Sequence, residues 1–549
     1  VTPRMTEGRF SPTIGIMVDW TFRPPRLAAV AVAFFVAACA APAPERTTQL
    51  VPDETGLPGA AEIYAVGYRN IVERYIEPVP VAEIAFQGLR GFGAIDPAFT
   101  VHEDKGVLEV HHDDRVVARH QAPGADDLDA WARLTVTVAA EAKSASPILG
   151  AASDEKLYEA VFDGVLSELD VFSRYAGAAQ AKRNRARREG FGGIGIRFSN
   201  DDGVVKILSI MKGAPAEGSG LLKGDRVTHV DGLPMSNLRT EQLIERFRGP
   251  IESTVVITVV REAMERPLRF NLKRAHIVPE TVTLNVDDGL AIIKISSFNQ
   301  NTAVSVAEAL ENLHDAGAGV IDGVALDLRG NPGGLLNQAA RVADLFLGEG
   351  GIVSTRGRHP DSVHHYTAGG RDLARGLSMV VLIDGKSASA AEIVAAALQD
   401  RGRAAVAGTT SYGKGTVQTV IRLPNEGEIT LTWSRIFAPS GYTLHGLGVR
   451  PVICTSGAMG EVATTSAALV ADTLANKASL AAAMAGWRRL PVKPEDVRNE
   501  LRATCPAERR FATYELAVAR RLLSDHRLYA QAVDAATTPT TASRVDGAH

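Results

Sequence analysis

From about Val282 onward the chain alternates between two apolar textures. "GLAIIKIS", "GVALDL" and "LSMVVLID" are continuous apolar runs, the pattern of strands buried on both faces. "AVSVAEALENLHDAG" and "LLNQAARVADLFLG" place their apolar residues at helical spacing. Strands alternating with helices predict βα units around a parallel sheet. The run that ends at Asp384 leads into "GKSASAAEIV", Gly385 to Val394, and then into the helical "AAEIVAAALQD". Ser389 stands three residues before Glu392, the spacing of a capping box. It also stands where a buried strand turns into a helix, whose first amides can stabilise an oxyanion. A helix cap and a nucleophile both fit this stretch.

Other textures flank this region. Helical patterns from Glu62 to about Asp170 are interrupted by a polar, strand-like "GVLEVHHDDRVVARH". The basic "AKRNRARREG", Ala181 to Gly190, reads as a solvated helix face, with contact to anionic lipid as the alternative. At "FGGIGIRF" short β-like runs begin, namely "VVKILSI", "DRVTHVDG" and "STVVITVV", with one helix in "RTEQLIERFRG". About ninety such residues predict a small, partly open barrel. Successive amides at Gly193 to Ile196 can form an anion-binding nest for a peptide carboxylate. Beyond Thr455 the chain is Ala-rich and helical, and the final "AATTPTTASRVDGAH" has the composition of a disordered tail.

Composition narrows the classes. The 549 residues are 45% hydrophobic, with 51 glycines and few aromatics, as expected for an α/β or α+β chain of several domains. A net charge of −4 gives no electrostatic case for nucleic-acid binding. Arg23 and Arg26 precede the apolar run Leu27 to Val36, which is too short to span a bilayer and ends in "VAAC". That order describes a signal peptide, and Cys39 after the small residues resembles a bacterial lipobox. The expectation is a lipidated Cys39, a Pro/Ala/Thr-rich tether and a place outside the cytoplasm. Ala40 is not acidic, which favours the outer membrane over the inner. Cys454 and Cys505 are then candidates for a disulfide, the alternative being two buried free thiols.

A serine nucleophile needs a base. No G-x-S-x-G elbow and no H-E-x-x-H helix is present, and nothing local ties His359, His364, His365 or His445 to Ser389. "GTTSYGKGTVQ" has glycines at Gly408 and Gly413 before Lys414, as a phosphate loop would. Gly415 replaces the required Ser or Thr, and the stretch leads into a strand rather than a helix. Read as a strand, Lys414, Thr416 and Gln418 share one face, so Lys414 can approach the serine with Gln418 beside it. A buried lysine has the lowered pKa a general base needs; a salt-bridged surface lysine is the competing reading.

Taken together, "GKSASAAEIV" and "ALQDRGRAAVAGTTSYGKGTVQ" resemble the carboxyl-terminal processing peptidases, the tail-specific serine proteases of S41 type with a Ser–Lys dyad. The resemblance extends to "LDLRGNPGG", to "FGGIGI" and "RGP" of a PDZ domain, to "DVFSRYA" before it and to "FAPSGYTLHGLGVRPVI". It covers about Leu166 to Ile453 and implies Ser389 as nucleophile, Lys414 as base and Gln418 as its orienting partner. The implied oxyanion hole is made by the amides of Gly333 and Ala390. Ala391, Thr409 and Val452 depart from the family pattern without removing a reacting group.

The implied fold is α/β in the α+β multidomain sense. A crotonase/Clp-like βα catalytic core at 278–455 carries an inserted PDZ domain at 188–277. A mainly helical region precedes it at 61–187 and another follows at 456–535, between a leader at 1–38, a tether at 39–60 and a tail at 536–549. The implied activity is that of an envelope serine endopeptidase needing no cofactor and no metal. It would process proteins from or near their C-termini, taking apolar C-termini at Gly193, Ile194, Gly195 and Ile196, with Leu243 and Phe247 lining the side-chain pocket. A lipid anchor would hold it to the membrane, and an adaptor lipoprotein and homo-oligomers are compatible partners. The reading from another class is an inactive PDZ peptide-binding scaffold that kept the fold.

Overall fold

A computed structural model describes residues 59–262, 264–315, 321–489, 492–508 and 513–537. The leader, Cys39, the tether up to residue 58 and the tail from residue 538 lie outside the described residues; Ala60 already opens the helix Ala60–Arg74, and Ala536 closes the helix His526–Ala536. The apolar runs form a six-stranded sheet in chain order: Val282–Asp287, Leu290–Ile295, Gly323–Asp327, Met379–Ile383, Ala405–Gly408 and Ile453–Cys454. The first two strands are an antiparallel hairpin and every later pair is parallel. Side chains alternate across this sheet. Ile293, Leu326, Val381 and Val406 face the helices Leu336–Asp344 and Ala390–Asp400. Ala325, Val380, Leu382 and Ala405 face Val470, Val518 and Leu522 of the C-terminal helices Val462–Ala475 and Tyr514–Leu523. Burial on both faces explains why these strands read as unbroken apolar runs.

A second sheet joins His364–Ala368, Gly350–Arg356, Glu428–Phe437 and Thr416–Arg422, and Arg174–Ala176 adds to Glu428–Phe437. On it rests the N-terminal region. Tyr64, Tyr68, Trp131 and Phe162 of its helices share one core with Ile429 and Leu431 of the sheet. The polar, strand-like stretch predicted there is a three-stranded antiparallel meander, Phe99–Asp104, Val107–His112 and Arg115–Gln121.

The barrel-like texture folds as five strands in the order Leu268–Lys273, Thr254–Val260, Arg226–Val230, Val204–Ile210 and Ile196–Asp201, with Leu233–Pro234 against the third and the helix Thr240–Phe247. Its entry strand Phe191–Gly193 pairs antiparallel with its exit strand Ala275–Ile277. The domain therefore leaves and rejoins the chain at one point, as an insertion does. The basic run is a solvated face only in part: Lys182, Arg183 and Arg187 are exposed, while Arg185 and Arg188 turn inward. The helix Ala178–Glu189 is a strut: Arg185 and Arg188 both reach the buried carboxylate of Glu428, at 2.9 and 3.1 Å, and Lys182 reaches Glu245 of the inserted domain at 2.7 Å. A buried carboxylate needs such partners, and two guanidinium groups supply them.

Candidate active site

Three loops meet at the C-terminal ends of the parallel strands, where open α/β sheets place their sites. The loop after Met379–Ile383 is folded by Asp384, whose Oδ1 accepts from the amides of Lys386 and Ser387 at 3.0 and 3.1 Å and from Gly330 at 2.9 Å. Ser387 is consumed in this scaffold, since its Oγ donates to the Leu328 carbonyl at 2.9 Å and accepts from the Asp384 amide at 2.9 Å. Ser389 differs. It is half-buried, at the N-cap of Ala390–Asp400, with φ 56° and ψ −113°. A non-glycine residue in that region is strained by about 1–3 kcal/mol, which persists only where the surroundings fix it. Among the described residues its hydroxyl donates to no acceptor.

The glycine-rich loop after Gly323–Asp327 is stitched to this turn, because the Ala388 amide donates to the Asn331 carbonyl at 2.9 Å. Gly333 has φ 102°, and a Cβ there would stand 2.8 Å from Ser389 Cβ and 3.1 Å from the Ala390 amide nitrogen. Only glycine allows that approach. The two amides expected to hold an oxyanion are therefore neighbours. In this structure, however, the Gly333 amide donates to Asn331 Oδ1 at 2.8 Å. Ala390 is the first helical residue, and its amide has no intrahelical acceptor.

The third loop carries Lys414. It leads from Ala405–Gly408 into the strand Thr416–Arg422, the reverse of a phosphate loop. Its Tyr412 amide donates to the Ser387 carbonyl at 3.0 Å. Lys414 Nζ lies 4.9 Å from the centroid of the Phe172 ring and, among the described residues, makes no hydrogen bond and no ion pair. Burial, and secondarily the Arg174 guanidinium, push its pKa down, while Asp170 and Glu392 oppose the shift. The shared face predicted for Lys414, Thr416 and Gln418 is observed only for the last two. The strand begins only at Thr416, so Lys414 precedes it, while Thr416 and Gln418 do share a face and touch; the extra residue of the bulge, Trp433, lies in the partner strand Glu428–Phe437. The Gln418 amide donates instead to the hydroxyls of Thr416 and Thr432, at 2.9 and 3.3 Å.

Sequence reasoning read Glu392 only as a helix cap. Its fully buried carboxylate accepts from the amides of Ser389 at 2.6 Å, Gly413 at 2.7 Å and Lys414 at 2.9 Å, and from Ser411 Oγ at 2.5 Å. The S-x-x-E spacing was the available signal, and it points only to the first of these bonds.

In the inserted domain a groove of about 580 Å³ is lined by Gly193, Ile194, Gly195, Ile196 and Phe247, together with Ile244, Arg248 and Met211. The amides of Ile194 and Gly195 donate to no acceptor among the described residues, as a carboxylate nest requires. Leu243 corrects the expectation. It is wholly buried in the domain core, and Ile244, one residue on, faces the groove. Cys454 and Cys505 form a disulfide.

Known proteins carry the same signature. The model of peptidase family S41 matches residues 289–454, and that of the PDZ domain matches residues 192–272. A carboxy-terminal-processing protease of Bartonella bacilliformis is 37% identical over 310 residues, which are 56% of this chain and 71% of that protein. A carboxyl-terminal-processing protease of Synechocystis sp. is 34% identical over 264 residues, 47% of this chain and 61% of that protein. The fold and sequence are those of a serine-type peptidase with a PDZ domain. The chain belongs to the carboxy-terminal-processing protease family.

Proposed function

We propose that this peptidase cuts with Ser389 as nucleophile and Lys414 as its general base. The supporting observation is the strained strand-to-helix turn that presents Ser389, tied through Glu392 to the loop of a half-buried lysine that makes no ion pair among the described residues. Neutral Lys414 takes the Ser389 proton, and Oγ attacks the peptide carbonyl. The developing oxyanion is held by the Ala390 amide at the helix N-terminus and by Gly333 once its amide leaves Asn331. Lys414 then protonates the leaving amine, and water hydrolyses the acyl-enzyme. The step that completes the site is rotation of Lys414 from Phe172 to Ser389, and Gln418 joins it if its amide turns from Thr416. The PDZ groove takes the apolar C-terminus of a protein or peptide, its carboxylate on the Ile194 and Gly195 amides. From the leader pattern and Cys39 we further propose a lipid-anchored enzyme of the bacterial envelope, facing the periplasm.

The separation of Lys414 from Ser389 and the turned Gln418 favour a second reading, a PDZ scaffold that binds peptides without cutting them. One experiment decides between them. The purified chain is given an unfolded protein with an apolar C-terminus, alongside Ser389→Ala, Lys414→Ala and the double variant. Dyad chemistry predicts cleavage by the parent alone, with the double variant no worse than either single one. Binding without cleavage by the parent establishes the scaffold.

A further inference from the structure

A cap satisfies the amides of its own helix; Glu392 does more. Only the bond from the Ser389 amide belongs to a capping box. The other three donors, Ser411, Gly413 and Lys414, belong to a different loop that leads into a different sheet. One oxygen, Oε2, accepts from both the Ser389 and the Lys414 amide. Sharing it keeps those two nitrogens within two hydrogen-bond lengths of each other. We infer that Glu392 is the positioning residue of the Ser389–Lys414 pair, one buried carboxylate that fixes the nucleophile's strained backbone and the base's loop in a single frame. This rests on the dyad reading above.

The geometry also sets the charge. Three of the four neighbours are amides that can only donate, and with Ser411 donating as well the ionised carboxylate satisfies all four without any of them turning. Burial raises the Glu392 pKa, and the four donors oppose that shift. The titratable and charged groups facing Glu392 are Lys414, Tyr442 and Arg502 of the helix Glu495–Ala503. Those facing Lys414 are Arg174, Asp170 and Glu392 itself. Glu392 thus has two separable effects. It holds geometry, and its negative charge favours the ammonium of Lys414.

Glu392→Gln separates the two. Its amide oxygen can keep the Ser389 and Lys414 amides, and Ser411 can turn to accept from the new NH₂, but the Gly413 amide loses its acceptor and the charge is gone. The expected result is a fall in kcat of about 100-fold with KM changed by less than about threefold, as loss of alignment produces. The alkaline-rising limb of kcat against pH should also move to lower pH, because the anion that favoured the ammonium is absent. Glu392→Asp keeps the charge and shortens the reach. It should lower kcat without moving that limb. Both variants are measured as the full mature chain, with thermal unfolding and PDZ peptide binding as folding controls, beside Ser389→Ala and Lys414→Ala. Parent-like kcat and pH profile in Glu392→Gln, with Ser389→Ala and Lys414→Ala inactive, overturn the inference and leave the dyad standing. A loss in Glu392→Gln with the limb unmoved, or collapse of both Glu392 variants to unfolded protein, assigns the residue to the fold alone and also overturns it. Cleavage by Ser389→Ala defeats the dyad, and the inference falls with it.

Discussion

The ammonium of Lys414 stands 4.9 Å from the centroid of the Phe172 ring, with no hydrogen bond to Ser389. An aromatic face favours the cation by about 0.5–2 kcal/mol, against burial and Arg174, which disfavour it. Catalysis needs the neutral amine, so kcat should rise with pH through the lowered lysine pKa and then level off. Lys414→Arg should be inactive at every pH, since guanidinium does not deprotonate. The check is single-turnover cleavage from about pH 5 to about pH 10, the span that brackets an ordinary lysine. A flat profile would remove Lys414 from the role of base.

The same burial predicts a stability effect of definite sign. With its folded pKa below the unfolded one, Lys414 is a net cost wherever it must be charged in the fold, which is fully felt below the folded pKa. Between the two pKa values the unfolded chain holds more protons, so stability rises with pH and the cost fades. Lys414→Met should therefore melt above the parent at neutral pH, with the gap closing toward about pH 10, the ordinary lysine range. Calorimetry at several pH values reads this directly, and a lower Tm for the variant at all of them would contradict it.

Gly195 has φ 74°, and a Cβ there would stand 2.1 Å from Ala214 Cβ. Gly195→Ala combines left-handed strain of about 1–2 kcal/mol with a clash at the nest. Affinity for a peptide with a free apolar C-terminus should fall at least about tenfold, the equivalent of 1.4 kcal/mol. Titration of Ser389 with a serine-directed reagent should be unchanged. Undiminished peptide affinity would place the carboxylate elsewhere.

Removing the Cys454–Cys505 bridge should cost stability and activity together. The bridge closes a loop with a sequence separation of 51, for which chain entropy alone gives about 4 kcal/mol as an upper figure. Just past Cys505, the Glu508 carbonyl accepts from Thr409 Oγ1 at 3.0 Å and from the Gly385 amide at 2.7 Å, so the segment held by the bridge touches the loops of both Lys414 and Ser389. Cys454→Ser should lower Tm and kcat, and a reductant should do the same to the parent alone. Full activity after complete reduction would separate the bridge from the site.

Much of this architecture is legible in the sequence, and the misses share a cause. Apolar runs and helical spacing located the core because burial of both sheet faces leaves a strong local pattern. The place of Ser389 followed from the same signal. Lys414 falls before the strand, and the Gln418 amide is held by hydroxyls from two strands, Thr416 and Thr432, a pairing that no local pattern announces. Leu243 was placed in the groove because its helix face could not be chosen without the sheet beneath it. A closer look at spacing could have helped, since Thr240, Ile244 and Arg248 recur every fourth residue along the groove side. Arg185 and Arg188 were read as solvated because their shared partner, Glu428, lies 240 or more residues away. Glu392 shows the same limit. Its local bond was visible, and its three bonds to the lysine loop were not.

The helices that cover the second face of the core sheet, and the segment bridged through Cys505, are made after both Ser389 and Lys414. A chain emerging N-terminus first can thus hold Ser389 and Lys414 while Val380, Leu382 and Ala405 still face water and Gly385 lacks its Glu508 acceptor. Vectorial synthesis becomes a timer. On the dyad reading the unfinished chain is latent by incompleteness, and its site is completed only with its last helices.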